Sequence, residues 1–391
     1  MMRILMTTDT VGGVWTYSME LCAALRPYGV SVALASMGGA PTAEQRRQAA
    51  ALPHVTLHES TYKLCWMDDP WDDVEQAGEW LLSLERKLQP DIIHLNDLGH
   101  GALPWQSPVV LVGHSCVLSW WQAVHKRRAP AQWFTYQKLV HASVQAADRV
   151  VAPSTAMMDA MIHHYGPIDA PLVIFNGRDF PALLPSPEAK VPFVEPLVFS
   201  AGRLWDEAKN IASLQDLRPS MPWKIQVAGA LAAPGGEATR LGSLHHLGPL
   251  NQDELADRLL RASIYVAPAR YEPFGLGILE AARAGCALVL GDIPSLREIW
   301  GDAAEYVDPD DPRDLASCVD TLIANPGYLT QMMERAWRRA QRYSSGRMAA
   351  GYMHLYQSLQ RQSSQGLLPR HHRMPMPSPS AFPTVHSGAL K

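Results

Sequence analysis

Short runs of apolar residues alternate along the chain with longer stretches in which apolar residues recur at helical spacing. The first segment, RILMTTDTVGGVWTYSMELCAALRPYGVSVALAS, predicts a strand, a glycine turn, a helix that ends at Gly29 and a second strand. Further apolar runs occur in HVTLHES, PDIIHLND, SPVVLVG and DRVVAPS, with helical patterns over 73–88 and 132–147. Continuous apolar runs separated by helices are typical of a parallel sheet that is buried on both faces. The pattern therefore predicts an α/β fold.

The pattern is interrupted after Phe180 by a proline-rich stretch, PALLPSPEAKVPFVEP, and then starts again. Apolar runs in LVFSAGR, WKIQVAG, SIYVAPA and CALVLGD predict the strands of a second sheet, with helices over 253–262 and 275–285. Asp311 and Pro312 suit the N-cap and the first position of another helix. A long helical pattern covers 335–360. These patterns favour two Rossmann-like, doubly wound domains in tandem.

The predicted domain boundaries follow these changes of pattern. At 391 residues the chain exceeds the size at which one hydrophobic core keeps growing. We predict an N-terminal domain over 1–180, a linker over 181–196 and a C-terminal domain over 197–345. A helix over 346–362 is expected to cross back to the N-terminal domain. The tail, 363–391, is rich in proline and has no periodicity, and we expect it to be disordered.

Charge and cysteine content narrow the classes of partner and compartment. A net charge of −4 gives no reason to expect a nucleic acid as the partner. The five cysteines are scattered and fit neither a disulfide framework nor a zinc site, so we expect reduced thiols in a cytoplasm. Eighteen uncharged apolar residues nowhere occur together, so no membrane span is expected. Peripheral contact with the inner face of a membrane stays open, and so does the oligomeric state.

The stretch PARYEPFGLGILEAARAG, residues 268–285, carries the strongest chemical signal. Pro273 biases Glu272 toward an extended backbone, so Glu272 is predicted to lie in the loop after a strand, while a helix begins near Gly275. The free amides of the first helical turn favour an anion. Glu280 lies about one turn into the helix. Two carboxylates that flank an anion site suit a nucleotide sugar, which has both hydroxyls and phosphates.

EPFGLGILE, in a second α/β half that opens with a GRL segment, resembles the EX7E motif of the GT-B glycosyltransferases of family 4. The resemblance covers residues 1–360. It implies two Rossmann-like domains that face each other across a cleft, as in bacterial members. It also implies retaining, metal-independent transfer of a hexosyl group from a UDP-, GDP- or ADP-sugar, with no cofactor. The acceptor stays open between a glycan, a lipid-linked molecule and a small molecule.

The resemblance also assigns roles in the second half. Arg203 and Lys209, in SAGRLWDEAKN, match the pair that grips the donor diphosphate, although Asp206 and Glu207 between them are alternative partners for these cations. Glu272 is expected to bind hydroxyls of the donor sugar, and Glu280 the ribose diol. The amides of Gly275 and Leu276 are expected to assist at the diphosphate.

The first half supplies further candidates, at the ends of its strands. Gly12 and Gly13 follow the first strand, where their amides suit a phosphate of the donor or an acceptor. His114 matches a histidine that in the family touches the donor sugar near its 6-hydroxyl, and His94 is a weaker candidate. For the acceptor side we single out Asp97, Trp120 and Trp121, with capping and core packing as their alternatives. No DxD motif lies between a strand and a helix, so no metal site is expected.

Two alternatives to a transferase stay open. A sugar-nucleotide 2-epimerase has the same fold, and it would use carboxylates for proton chemistry. A non-catalytic module that binds nucleotide sugars would keep the fold without turnover.

Overall fold

The computed structural model describes residues 1–179, 195–217, 223–233, 236, 238–242 and 244–367. They form two compact units. The first comprises Met1–Gln122, Arg127–Gly177 and the described chain from Ser345 onward. The second comprises Ala123–Lys126 and Arg178–Ser344. The predicted linker falls mainly on 180–194, and most of the predicted tail falls on 368–391; both stretches lie outside the described residues.

The first unit contains a parallel sheet of seven strands. Its strands are β1 (Arg3–Asp9), β2 (Ser31–Met37), β3 (Val55–Glu59), β4 (Ile92–Leu95), β5 (Val109–Val112), β6 (Arg149–Ala152) and β7 (Leu172–Val173). Their spatial order is β3-β2-β1-β4-β5-β6-β7, and every pairing is parallel. All four residues of β4 and of β5 are buried, as expected for strands that are covered on both faces.

Six helices of the first unit connect these strands within the described residues. They are α1 (Gly13–Leu25), α2 (Ala43–Ala50), α3 (Trp71–Leu88), α4 (Val117–His125), α5 (Phe134–Ala146) and α6 (Thr155–Tyr165). The sequence predicted α1, α3 and α5, whereas α2, α4 and α6 were missed as helices. α2 is short and polar and begins with a capping box at Thr42, so local capping specifies it more than apolar periodicity does.

The second unit repeats the design with six parallel strands and five helices in its described part. The strands are β8 (Glu195–Ala201), β9 (Lys224–Ala228), β10 (His245–His246), β11 (Ala262–Ala267), β12 (Ala287–Gly291) and β13 (Glu305–Val307), in the order β10-β9-β8-β11-β12-β13. The helices are α7 (Gln252–Arg261), α8 (Leu276–Arg283), α9 (Pro294–Trp300), α10 (Pro312–Ala324) and α11 (Pro326–Ala340). Asp311 caps α10 by accepting a hydrogen bond from the amide of Arg313. The prediction of two Rossmann-like α/β domains is confirmed.

The predicted helix over 335–360 is wrong as a single element. α11 ends at Ala340, and α12 (Ser345–Ser364) starts after a break around Tyr343. The Tyr343 hydroxyl donates to the carbonyl oxygen of Ile299 at 2.8 Å, and its ring meets Phe274 edge-on. Burial of this ring in the second unit ends the helix there. α12 belongs to the first unit and packs against α1.

Both sheets change winding direction next to their first strand. In the first unit the chain moves outward from β1 to β3 and then returns to place β4 on the other side of β1; β8, β9 and β11 repeat this arrangement. In such sheets ligands bind outside the carboxyl ends of the strands at this point of reversal. We call these places the first switch edge (residues 10–13, 96–103 and 113–116) and the second switch edge (residues 202–210 and 268–275).

Within the described residues no helix is long and apolar enough to cross a membrane.

Candidate active site

Hydrogen bonds connect the two loops of the second switch edge to each other. The amide of Arg270 donates to the carbonyl oxygen of Ala208 at 2.8 Å. Nδ2 of the Asn210 side chain donates to the carbonyl oxygens of Pro268 and Pro309 at 3.1 and 2.7 Å. Asn210 adopts a left-handed conformation, with φ of 54°, which asparagine tolerates better than most residues. Two segments that are about sixty residues apart in sequence therefore form one surface.

This surface brings Lys209 and Glu272 into direct contact. The Lys209 ammonium lies 2.5 Å from Oε2 of Glu272, and the two side chains are 22% and 16% exposed. The backbone carbonyl of Glu272 accepts a hydrogen bond from the Ser295 hydroxyl at 2.6 Å. The resemblance assigns Lys209 to the diphosphate of the donor and Glu272 to the hydroxyls of its sugar. Because the two side chains touch, one ligand can reach both of them.

Arg203 lies on the same loop and binds Asp206. Its Nη2 is 2.7 Å from Oδ2 of Asp206, while Oδ1 of Asp206 accepts from the amide of Ala208 at 3.0 Å. Asp206 is buried, whereas the Arg203 side chain is 43% exposed. The acid therefore orients Arg203 without enclosing it. Of the two acidic alternatives that the sequence offered, the structure selects Asp206 as the partner of Arg203.

The amino end of α8 completes the second switch edge. Gly275 is the N-cap and has φ of 90°, in the left-handed region that favours glycine. A Cβ atom at this position would lie 2.7 Å from Cδ1 of Ile278 and 3.3 Å from Cγ of Glu272. Leu276 is the first helical residue, so its amide is among the helix donors that have no intrahelical acceptor. The side chain of Glu272 therefore lies next to the N-cap of α8.

Glu280 is held by a partner that sequence reasoning missed. It forms an ion pair with Nε of Arg178, and both side chains are less than 10% exposed. The sequence analysis gave Arg178 no role. Since Arg178 lies about one hundred residues before α8, only the fold brings it to Glu280. Its place directly after Asn176 and Gly177 is the one local signal, and it does not identify the partner.

The first switch edge contains Gly12 and Gly13, at the start of α1. Oδ1 of Asp9 accepts hydrogen bonds from the amides of Val11 and Gly12 at 3.1 and 3.0 Å. The Gly12 amide is therefore already occupied by a carboxylate. Gly13 is exposed, and a Cβ atom on it would meet nothing within 4 Å. Packing against the rest of the described protein therefore does not require a glycine at position 13.

His114 and His94 both bind the same asparagine, Asn96. Oδ1 of Asn96 lies 2.9 Å from Nε2 of His114 and 3.0 Å from Nε2 of His94. Burial, together with the nearby His94, lowers the pKa of His114 to about 3. Burial lowers the pKa of His94 to about 4, against an opposing hydrogen bond to Asn96. Both rings are neutral at physiological pH. The sequence analysis did not single out Asn96, because nothing local in HLND marks it as the partner of two histidines.

Asp97 is also tied within the first unit. It accepts from the Thr7 hydroxyl at 3.0 Å, from the amide of Gly99 at 3.0 Å and from Nδ1 of His100 at 2.6 Å. Nε2 of His100 faces the carbonyl oxygen of Val74 at 3.1 Å. Both ring nitrogens face acceptors, so His100 carries two protons and a positive charge. Burial opposes ionisation of both groups, but their attraction and hydrogen bonds prevail; they lower the pKa of Asp97 and raise that of His100.

Trp120 and Trp121 lie side by side on α4, with ring centroids 6.1 Å apart, and both are partly exposed. This arrangement is compatible both with core packing and with a surface that binds the acceptor, the two alternatives for these tryptophans. Within the described part of the chain, no group of three or more His, Cys, Asp or Glu side chains could hold a metal ion.

Two family models match the chain in the same order as its two units. The model described as Glycosyltransferase Family 4 matches residues 11–180, and the model described as Glycosyl transferases group 1 matches residues 237–340. The chain belongs to glycosyltransferase family 4. The resemblance that EPFGLGILE and the GRL segment indicated is thereby confirmed.

One curated relative of this family 4 chain is the glycogen synthase of Mycobacterium tuberculosis, which is 29% identical over 292 residues. The alignment covers 66% of each protein, so the chain spans just under two thirds of the length of that relative.

Solved structures show the GT-B fold at lower identity. The sucrose-phosphate synthase from Thermosynechococcus elongatus is 19% identical with a TM-score of 0.73, over 92% of this chain and 99% of that one. Anabaena HepE in complex with UDP-glucose is 18% identical with a TM-score of 0.68, over 92% of this chain and 100% of that one.

Proposed function

We propose that this chain transfers a hexosyl group from a nucleotide-diphosphate sugar to an acceptor hydroxyl, with retention of configuration and without a metal ion. One observation carries the proposal. At the second switch edge Lys209 binds the carboxylate of Glu272, the Glu272 side chain lies next to the N-cap of α8, and Arg203 lies on the same loop as Lys209. Cations and helix donors suit a diphosphate, and a carboxylate suits sugar hydroxyls. The UDP-glucose that Anabaena HepE binds on the same fold supports a nucleotide sugar as the ligand.

The reaction needs a group that stabilises the leaving diphosphate. The bond between C1 of the sugar and the diphosphate oxygen breaks, and negative charge grows on that oxygen. Lys209 as a point charge and Arg203 as a planar donor offset this charge. The acceptor hydroxyl bonds to C1 on the face that the diphosphate leaves, and its proton passes to the departing phosphate oxygen. A short-lived ion pair separates the two events, so no protein nucleophile is required.

Donor binding must change the partners seen in the structure. Lys209 binds Glu272, and both are partly exposed, so a ligand can compete for each of them. We propose that the diphosphate takes Lys209 while the sugar hydroxyls take Glu272. Glu280, which forms an ion pair with Arg178, would bind the ribose diol.

A panel of nucleotide sugars tests the proposal first. The chain is screened by thermal shift against UDP-, GDP- and ADP-hexoses, because a ligand that binds the folded state raises the unfolding temperature. The preferred donor is then used to measure hexosyl transfer to pools of glycans, lipid-linked molecules and small molecules. A parallel acceptor-free reaction, followed by NMR, detects an epimerised donor.

Two variants connect this activity to the second switch edge. Arg203→Ala and Glu272→Ala should each lower turnover by about 100-fold or more, since each removes a charge that acts at the reacting centre. Arg261→Ala is the matched control, because Arg261 pairs with Asp257 on the surface of α7. Turnover that stays unchanged in both site variants contradicts the assignment of these residues. If the acceptor-free reaction yields an epimerised donor, the chain is an epimerase and not a transferase.

A further inference from the structure

One long stretch of the first unit has no acidic residue. Between Asp97 and Asp148 the sequence contains neither Asp nor Glu, although the whole chain has a net charge of −4. The cations of this stretch are Lys126, Arg127, Arg128 and Lys138. Lys126 is grouped with the second unit and pairs there with Asp310, so it is set apart from the others. The remaining cations give the first unit a local positive charge, against the sign of the whole chain.

These cations face solvent. Arg127, Arg128 and Lys138 are all exposed. Within the described part of the chain, Arg127 and Arg128 form no ion pair with an acidic side chain. Because no neighbouring acid neutralises the two arginines, their charge is available to an anion outside the protein.

An exposed aromatic ring lies close to this charge. Phe134 begins α5 and is the most exposed aromatic side chain among the described residues, at 54%. Lys138 lies one turn further along α5 on the same face, with Nζ 4.4 Å from the centroid of the Phe134 ring. Trp133 and Tyr136, on either side of Phe134, are buried, with their rings edge-on at 5.8 Å. Since these two rings fix the start of α5 in the core, Phe134 is held facing outward.

We call Arg127, Arg128, Phe134 and Lys138 the Phe134 surface. All of them belong to the first unit. α5 leads into the amino end of β6, so its first residue lies toward the opposite, carboxyl edge of the parallel sheet. The first switch edge lies at this same carboxyl edge. The Phe134 surface therefore combines cations and an exposed ring toward the edge of the sheet at which such folds bind ligands.

We propose that the Phe134 surface binds the anionic surface of a lipid bilayer. Its cations attract the negatively charged head groups, and the Phe134 ring enters the boundary between head groups and acyl chains. Binding of this kind needs neither a donor nor an acceptor sugar. It therefore goes beyond the proposed transferase reaction and does not depend on it.

Charge and polarity disfavour two other occupants of this surface. The segment 368–391 contains Arg370, Arg373 and Lys391 and no acidic residue, so like charges oppose its binding there. A soluble polyanion would bind the cations but would leave the Phe134 ring without an apolar partner. An anionic bilayer offers both negative charge and apolar acyl chains.

Co-sedimentation of the full chain with vesicles tests the proposal. Vesicles of phosphatidylcholine alone are compared with vesicles that also contain phosphatidylglycerol, at low and at high salt. We expect binding to the anionic vesicles only, and weaker binding at high salt, since salt screens exposed charges. No binding to the anionic vesicles, or equal binding to both kinds, overturns the proposal. Because no nucleotide sugar is present, such a failure leaves the proposed transferase reaction unaffected.

A double variant measures the contribution of charge. Arg127→Ser combined with Arg128→Ser should lower the partition coefficient for anionic vesicles about 10- to 30-fold, since each cation near such a surface contributes about 5-fold. Arg86→Ser combined with Lys87→Ser is the matched control. Arg86 and Lys87 are also adjacent and exposed, but they end α3, which leads into the amino end of β4 at the opposite edge of the sheet. An equal loss in the control would show that only the net charge matters, and it would overturn the assignment to this surface.

A second pair of variants measures the contribution of the ring. Phe134→Ser should lower the partition coefficient about 5-fold or more, whereas Phe134→Trp should keep it or raise it, because both aromatic rings suit the interface. Tyr28→Ser is the matched control, since Tyr28 is 45% exposed in the turn before β2, at the amino edge. The unfolding temperatures of these variants should match that of the unaltered chain, because the altered side chains are exposed.

Two outcomes would assign the Phe134 surface to another partner. If Phe134→Ser binds anionic vesicles as tightly as the unaltered chain, the ring does not enter the bilayer and the surface is a site for a polyanion. If sedimentation without vesicles shows a dimer that Phe134→Ser dissociates, the occupant is a second copy of the chain. Either result overturns the bilayer as the partner.

Discussion

The two switch edges have the same strand order but different chemistry. In the second unit, charged side chains bind each other in pairs: Lys209 with Glu272, both partly exposed, and partly exposed Arg203 with buried Asp206. In the first unit, a neutral network joins partly exposed His114 to buried Asn96 and His94. Partly exposed charges can exchange partners at modest cost, because water and ligand compensate them. A buried neutral network is costly to rearrange and keeps one geometry.

This difference suits the two edges to different kinds of chemical group. Under the proposed function, the second switch edge binds the anionic part of the donor, and this binding displaces Glu272 from Lys209. The neutral edge suits hydroxyls, which are recognised by direction more than by charge. Each unit also contains an enclosed ion pair, Arg178–Glu280 in the second and Asp97–His100 in the first. These pairs allow the comparison to be tested.

The largest effect is expected for Arg178→Met in the second unit. The substitution leaves the carboxylate of Glu280 buried without its cation, which costs about 3–5 kcal/mol of unfolding free energy. The measurement is urea unfolding of the variant and of the unaltered chain. The double variant with Glu280→Met is the control and should recover most of the loss, because no unpaired charge remains. A loss below about 1 kcal/mol for the single variant would show that water reaches this pair.

Lys209→Met and Glu272→Gln should change the affinity for a nucleoside diphosphate in opposite directions. The first removes a cation from the diphosphate and should weaken binding about 10-fold or more. The second frees Lys209 from its present partner and should strengthen binding of the diphosphate, while it weakens binding of the complete nucleotide sugar. Isothermal titration calorimetry with both ligands measures the two effects. If Glu272→Gln weakens the diphosphate as much as Lys209→Met does, the ion pair is not displaced by the ligand.

His100→Asn should destabilise the first unit in a pH-dependent way, by about 1.5–3 kcal/mol near pH 5. The pKa of His100 is raised on folding, so its contribution is complete below about 6.5, the value of an unfolded chain, and is lost as pH rises through the raised value. The pKa of Asp97 is lowered, so its contribution is complete above about 3.9 and is lost as pH falls through the lowered value.

The difference between His100→Asn and the unaltered chain should therefore be greatest between about pH 4 and 6.5. Urea unfolding at a series of pH values measures it. A constant difference from pH 4 to 9 would mean that His100 is uncharged and that the first switch edge has no ion pair.

The smallest effect is expected for glycine substitutions, which compare the two edges directly. Gly275→Ala should cost about 1–2 kcal/mol, because a side chain resists positive φ and the added Cβ lies 2.7 Å from Ile278. Gly13→Ala is the matched control at the first edge, where the added atom meets nothing, and its stability should not fall. Thermal unfolding compares the two variants. Equal losses would contradict the conformational reason given for Gly275.

Several elements could be predicted from local sequence because local physics specifies them. The buried strands appear as continuous apolar runs, and Asp311 with Pro312 marks the start of α10. Pro273 and Gly275 predicted that Glu272 lies in a loop and that a helix follows, which the bounds of α8 match. Helices with little apolar periodicity, such as α2, were missed, because their stability comes from caps and from packing.

The sequence by itself determined the fold class, most of the strands and the residue types at their carboxyl ends. Only the tertiary structure decided which of those residues are partners. Lys209 meets Glu272, Arg178 meets Glu280 and Asn96 joins two histidines because parallel strands that are distant in sequence end at the same edge. Hydrogen bonds and ion pairs act over a few ångströms, and the winding of the sheet, which no local pattern contains, sets those distances.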